Sequence, residues 1–247
     1  MTEQSQQQDI QALAKGGRTN ILGFLLRLGG TAPFLFIAAR LYGKVPLGRF
    51  AAALVMIELA GQICTLGQKR GLAQRLSEDG DHPANTVGDA MLLSAAIALA
   101  AAALFWVFPG ILFPGGNYAM ADRLLVLAIL PATLTDVALS ALAYRYDVAT
   151  SVRSRALVEP WTRTLAAVGL FYVMPESGLT SAYLLSIWTA ALAALWPLYR
   201  SYGLPHQWRP HPLRLWRLGM RNLPLAMADA VEWGTRKLDI FVLRFFV

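Results

Sequence analysis

Apolar residues in this chain fall into long unbroken runs, not into an alternating pattern. Seven runs cover residues 19–42, 47–66, 87–108, 123–144, 156–174, 179–199 and 220–247, with short polar stretches between them. About 20 residues at 1.5 Å rise each match the hydrocarbon thickness of a bilayer, so each run predicts a spanning helix. A transmembrane barrel would show strands of about ten residues with polarity alternating every second position. The alanine-rich stretch 97–104 has no such alternation. The expected fold class is therefore all-α integral membrane, a polytopic helix bundle. Its expected parts are a polar amino-terminal segment 1–18, a six-helix bundle 19–200, a basic linker 201–219 and a seventh helix 220–247. Pro33, Pro131, Pro197 and Pro224 lie inside runs. There a missing backbone N–H kinks the helix and frees carbonyls toward a polar cavity, or simply shapes the packing.

Composition narrows the choice of solvent. Hydrophobic residues make up 56% of the chain and charged residues 15%, well below the roughly 25% charged of a soluble domain. A net charge of +7 raises the question of nucleic acid. The basic residues are not clustered with groove-reading or base-stacking motifs, however, so no nucleic-acid partner is expected. They gather instead in alternate loops, around Lys15, Lys69, Arg70, Arg145, Arg155, Arg200 and Arg214, while the opposite loops hold Arg40, Lys44, Arg49 and Arg123. That bias predicts a cytoplasmic amino terminus, and the expected location is a bacterial inner (plasma) membrane. The first run is too long and wrongly flanked for a cleaved signal peptide. Residues 66–76 form an amphipathic stretch, read either as an interfacial segment or as a plain connection. Residues 202–216, with Trp208, Trp216, Pro205, Pro210 and Pro212, read as an interfacial linker. A single cysteine, Cys64, provides no disulfide framework.

Charges inside the runs carry the candidate chemistry. Each costs about 2.5 to 3.5 kcal/mol near the bilayer centre even on a lenient scale. Asp229, Glu232, Arg236 and Asp239 fall at i, i+3, i+7 and i+10, on one helix face, with Glu232 and Arg236 spaced for an ion pair. Glu159 and Arg163 repeat the i, i+4 spacing. Glu58, Gln62 and Thr65 align on the second run, Arg27 lies with Asn20, Gly23, Gly30 and Thr31 on the first, and Asp136 has Thr133 and Ser140 nearby on the fourth. Polar faces on five runs are most simply satisfied by a shared water-filled lumen. In that reading Arg27, Arg163, Arg236 and Lys237 hold an anionic group, and Glu58, Asp136, Glu159, Glu232 and Asp239 act as charge partners or proton carriers. The competing reading is that the i, i+4 pairs only help their helices insert.

Enzymatic motifs are thin. No nucleotide-binding loop occurs, and His82, His206 and His211 have no metal-ligand spacing. Neither a cofactor nor an enzymatic activity is expected, and transport would draw on an ion gradient, the membrane potential or the substrate's own gradient.

Several short motifs nonetheless share a pattern. Lys15-Gly-Gly-Arg-Thr-Asn-Ile-Leu-Gly23 leads into the first run, and Ala39-Arg40-Leu41-Tyr42-Gly43 with Leu47-Gly48-Arg49-Phe50 joins it to the second. Leu66-Gly67 and Arg70-Gly71-Leu72 through Arg75 follow the second, and Asn222-Leu223-Pro224 with Asp239 marks the seventh. On these motifs the chain resembles the polysaccharide biosynthesis flippases, the lipid-linked oligosaccharide branch of the superfamily that also holds the multidrug and toxic compound exporters. The resemblance implies a 12–14 helix flippase fold, of which this chain would supply the first six-helix half and one further helix. It also implies alternating access, a cationic lumen for an undecaprenyl-pyrophosphate-linked glycan, and a place beside polysaccharide polymerase machinery among membrane lipids. An ion-coupled multidrug exporter would carry an acid-dominated lumen. A membrane-embedded glycan polymerase or ligase would need a large external loop, and a non-transporting scaffold would tolerate neutralised lumen charges.

Overall fold

The structure, a computed structural model, describes the backbone of residues 3–78, 82–113, 116 and 118–246, and side chains from residue 21 to residue 235 within those limits. Among the described residues it is all-helical. In chain order the elements are α1 (Glu3–Leu41), α2 (Lys44–Cys64), α3 (Gln68–Glu78) and α4 (Pro83–Val107), followed by a 3₁₀ turn at Pro109–Ile111. A 3₁₀ stretch, Met120–Ala128, then runs directly into α5 (Ile129–Tyr144). Next, α6 (Val148–Ser151), a π-helical segment (Val152–Val158) and α7 (Glu159–Phe171) form one continuous rod. The chain continues with α8 (Gly178–Tyr202) and α9 (Pro212–Phe246).

Among the described residues, five helical segments are long and apolar enough to cross a membrane: Ile21–Leu41, Lys44–Glu78 (α2 with α3), Pro83–Val107, Met120–Tyr144 and Gly178–Tyr202. Their outward faces suit a bilayer and not water. On α8, Leu185, Trp188, Leu192, Trp196 and Tyr199 recur every three or four residues and all are exposed, as are Phe24, Leu28, Leu35 and Phe36 on α1. Exposed apolar surface on this scale marks a membrane-facing or partner-facing protein. The fifth expected run is helical to Phe171 but is not among the five, because the rod that carries it also holds Arg153 and Arg155 beside Glu159 and Arg163. The seventh run lies in α9, which is likewise not among the five, and its side chains beyond residue 235 lie outside the described residues.

Three expected boundaries move. Residues 3–18 continue the first helix, since Gln, Glu, Ala and Lys there are good helix formers. The amphipathic stretch after the second run is a helix, α3, that buries Gln68, Gly71, Leu72 and Arg75 on one face. The seventh helix starts at Pro212, inside the expected linker; proline's fixed φ and missing N–H suit a first helical position. The remaining linker docks on α4: Asn85 and the His206 backbone exchange two 3.0 Å hydrogen bonds, and Asp89 accepts from Trp208 Nε1 at 2.8 Å and pairs with Arg214 at 3.0 Å.

Small residues let the helices approach. A Cβ on Gly30 would stand 2.8 Å from the Pro160 Cβ, and one on Gly23 would stand 3.1 Å from the Val152 side chain. Hence α1 lies against the α6–α7 rod, secured by the Thr164 hydroxyl donating to the Gly30 carbonyl at 2.7 Å. At the α2–α3 corner Gly67 takes φ +64°, and a Cβ there would meet the Leu225 Cβ at 2.6 Å. This corner seats α3 against α9. One core cluster joins Phe34, Phe50, Ile57, Ile129 and Tyr183; a second joins Leu72, Val87, Val137, Leu142 and Leu198.

Candidate functional site

The charged residues meet where α2, α3, α5, the π segment and α9 converge. Asp136 on α5 is bridged by two cations. Lys69 Nζ lies 2.8 Å from one carboxylate oxygen, and Arg155 pairs with the other. Gln62 closes a ring by accepting from Lys69 at 2.6 Å while its amide donates to Asp136 at 3.4 Å. Arg155 reaches on to Glu159, 2.8 Å away, and donates to the Ala132 carbonyl at 3.3 Å. By helical rise, Asp136 sits about 12 Å from the end of α5, and Arg155 and Glu159 sit about 10 and 16 Å from the start of their rod. Unpaired charge that far from a helix end in a low-dielectric surrounding is costly, and every charge in this chain of contacts has an opposite neighbour.

Lys69 and its successor Arg70 tie this network to a second one. Consecutive residues on a helix point about 100° apart, so Lys69 faces α5 while Arg70 faces α9. Arg70 pairs with Asp229 at 3.0 Å and with Glu232 at 2.5 Å. Gln62, Lys69, Arg70, Asp229, Glu232 and Trp233 line an open polar cleft of about 350 Å³ between the two networks. Asp229 is buried, and its second carboxylate oxygen has no hydrogen-bond partner among the described residues. Further along the rod, Arg163 stacks over the Phe34 ring at 4.5 Å. The buried Tyr183 hydroxyl lies within electrostatic reach of Glu159, Glu58, Arg155 and Arg163.

Several expected site residues therefore come together: Glu58, Asp136, Glu159 and Arg163 around α5, α7 and Tyr183, and Glu232 across the cleft. The expected Glu159–Arg163 pair does not form. Glu159 turns to Arg155, one turn earlier, because that guanidinium also reaches Asp136 and the three charges satisfy one another. Arg27 is exposed on α1 and makes no ion pair among the described residues. Thr133 and Ser140 hydrogen-bond back to their own helix, at Ile129 O and Asp136 O, and do not hold the Asp136 carboxylate. The side chains of Arg236, Lys237 and Asp239 lie outside the described residues. No group of three His, Cys, Asp or Glu suited to a metal occurs among the described residues.

The central cations, Arg155, Lys69 and Arg70, fall on stretches the hydropathy pattern assigns to loops. One signal was available: Arg155 stands four residues before Glu159, and Pro160 follows that acid in mid-helix. Pro160 has no N–H to donate to the Ala156 carbonyl, and the ladder upstream widens into the π turn. The extra residue turns the start of the rod by about 100° relative to a straight helix, which aims Arg155 at α5.

Comparison with protein-family models, with curated proteins and with solved structures finds no match to this chain.

Proposed function

We propose that this chain forms part of a membrane pathway for an anionic, polar cargo, and that the cargo is a lipid-linked oligosaccharide carried by alternating access in surface polysaccharide biosynthesis. The observation that carries the reading is the double position of Lys69, which lines the open cleft and also pairs with the half-buried Asp136. A bundle that needed only insertion could satisfy these charges within single helices. Here they are satisfied across helices and around a cavity open to an incoming ion.

Such a site suits exchange. A phosphate or diphosphate entering the cleft competes with Asp136 for Lys69 and with the α9 carboxylates for Arg70. Each bond made to cargo replaces one released, so desolvation is largely prepaid and release stays easy. The cleft has room for on the order of ten waters, the size of a charged headgroup and not of a glycan. Its described lining holds two cations and two carboxylates, a mixed character that favours an anionic headgroup over the acid-dominated cavity of a drug exporter. The choice of a glycan-bearing lipid rests on the sequence motifs that resemble the flippases.

The test is surface glycan display in a cell lacking the gene and complemented with Lys69→Ala, Asp136→Ala or Arg155→Ala, with membrane abundance checked. Loss of display at normal abundance, with lipid-linked precursor accumulating on the inner face, supports the reading. Normal display in all three variants overturns it, and altered tolerance to cationic drugs instead would move the assignment to an exporter.

A further inference from the structure

A second charged site lies outside this network, at the end of the bundle where the α6–α7 rod begins and α8 finishes. Arg153, Thr150, Trp196, Pro197 and Arg200 line an open cleft there of about 680 Å³. Arg153 and Arg200 form no ion pair among the described residues. The carboxylate in the cleft wall, Asp147, is already engaged: one oxygen accepts from the Thr150 N–H at 3.1 Å and the other from its hydroxyl at 2.6 Å. The site therefore sets two guanidiniums, neither in an ion pair among the described residues, against one carboxylate held by Thr150, a net positive cleft, and guanidinium is the group best shaped to hold phosphate oxygens in pairs.

What lies beside the arginines identifies the rest of the ligand. The Arg200 guanidinium stands over the Trp196 ring at 5.2 Å. Trp196 begins the exposed apolar stripe that continues along α8 through Leu192, Trp188 and Leu185. On the facing rod, Leu157 is exposed one turn below Arg153. A cationic cleft opening directly onto two apolar helix faces matches a molecule with an anionic head and long hydrocarbon tails. Trp196 and Tyr199 stand at the level expected of aromatic residues in a headgroup belt. A free phosphate would use the arginines and leave the stripe without a role.

We infer that the cleft between the start of α6 and the end of α8 binds the phosphate headgroup of an anionic phospholipid, held by Arg153 and Arg200, with its acyl chains along the Leu185–Trp188–Leu192–Trp196 face. This site is separate from the cargo cleft and does not depend on the transport reading. It is a fixed lipid position of the kind that basic clefts between spanning helices provide.

The experiment is native mass spectrometry of the purified full chain in detergent, titrated with phosphatidylglycerol, cardiolipin or phosphatidylcholine, and with inorganic phosphate as a competitor. The wild type should retain the anionic lipids about tenfold more tightly than phosphatidylcholine. Arg153→Gln/Arg200→Gln should abolish that preference, while Arg209→Gln/Arg217→Gln, which removes equal charge from the linker region, should keep it. Both pairs are exposed, and helix content measured by circular dichroism checks that each variant is folded. Three results would overturn the assignment: no preference in the wild type, equal loss in the control pair, or full displacement of phosphatidylglycerol by inorganic phosphate. The last would leave only a phosphate site.

Discussion

Asp136 is the residue on which the central network turns. Its two oxygens hold Lys69 and Arg155, and no other described carboxylate reaches both. Removing it would leave Lys69 without its carboxylate and Arg155 with Glu159 alone, whereas removing Lys69 would still leave Asp136 with Arg155. Asp136→Ala should therefore cost about 3 kcal/mol or more, and Lys69→Met distinctly less. Thermal unfolding of the purified variants in one detergent checks the order; equal losses would show that Asp136 is not shared. The carboxylate itself was plain in the sequence, as an acid in an apolar run. Its cations were not, because an arginine or lysine near a run's end has the same local signature whether it faces water or turns inward.

At the scale of elements, the contact between α1 and the α6–α7 rod decides how deep the network lies. Gly30 faces Pro160 so closely that an added methyl must displace a ring or a backbone. Gly30→Ala should destabilise the bundle by about 1–3 kcal/mol. Gly48, inside α2 with nothing within 4 Å of its would-be Cβ, gives the opposite expectation: Gly48→Ala should be neutral or stabilising by about 0.5–1 kcal/mol, since glycine is the poorer helix former. Parallel melting curves decide between steric and propensity effects. The π turn belongs to this scale as well. Pro160 is visible in the sequence, yet whether a mid-helix proline kinks, breaks or widens a helix depends on what accepts the distortion, here the glycine opposite.

For the whole molecule, the distribution of basic loops predicts which side each connection faces. Tyr146, in the α5–α6 connection, is 92% exposed, and Glu176 lies in the α7–α8 connection on the opposite end. Cys64 is buried, so a Cys64→Ala background permits single-cysteine labelling. Tyr146→Cys should react with a membrane-impermeant maleimide only in inverted vesicles, and Glu176→Cys only in intact cells. The reverse pattern would overturn the cytoplasmic placement of the amino terminus.

Hydropathy by itself determined that the chain is helical and apolar enough for a membrane, because the need to satisfy every backbone group in hydrocarbon leaves a run of some 20 apolar residues few other folds. It also marked Glu58, Asp136, Glu159 and Glu232 as groups that require partners, since their cost is a local property. Which partners they take was decided only by the tertiary structure. Arg155 and not Arg163 serves Glu159, Arg70 on α3 reaches Asp229 and Glu232 on α9, and Lys69 reaches inward from what reads as a loop. Pairing depends on helix rotation and approach, which are set by a π turn and by glycines at crossing points, and these act through contacts between residues far apart in the chain.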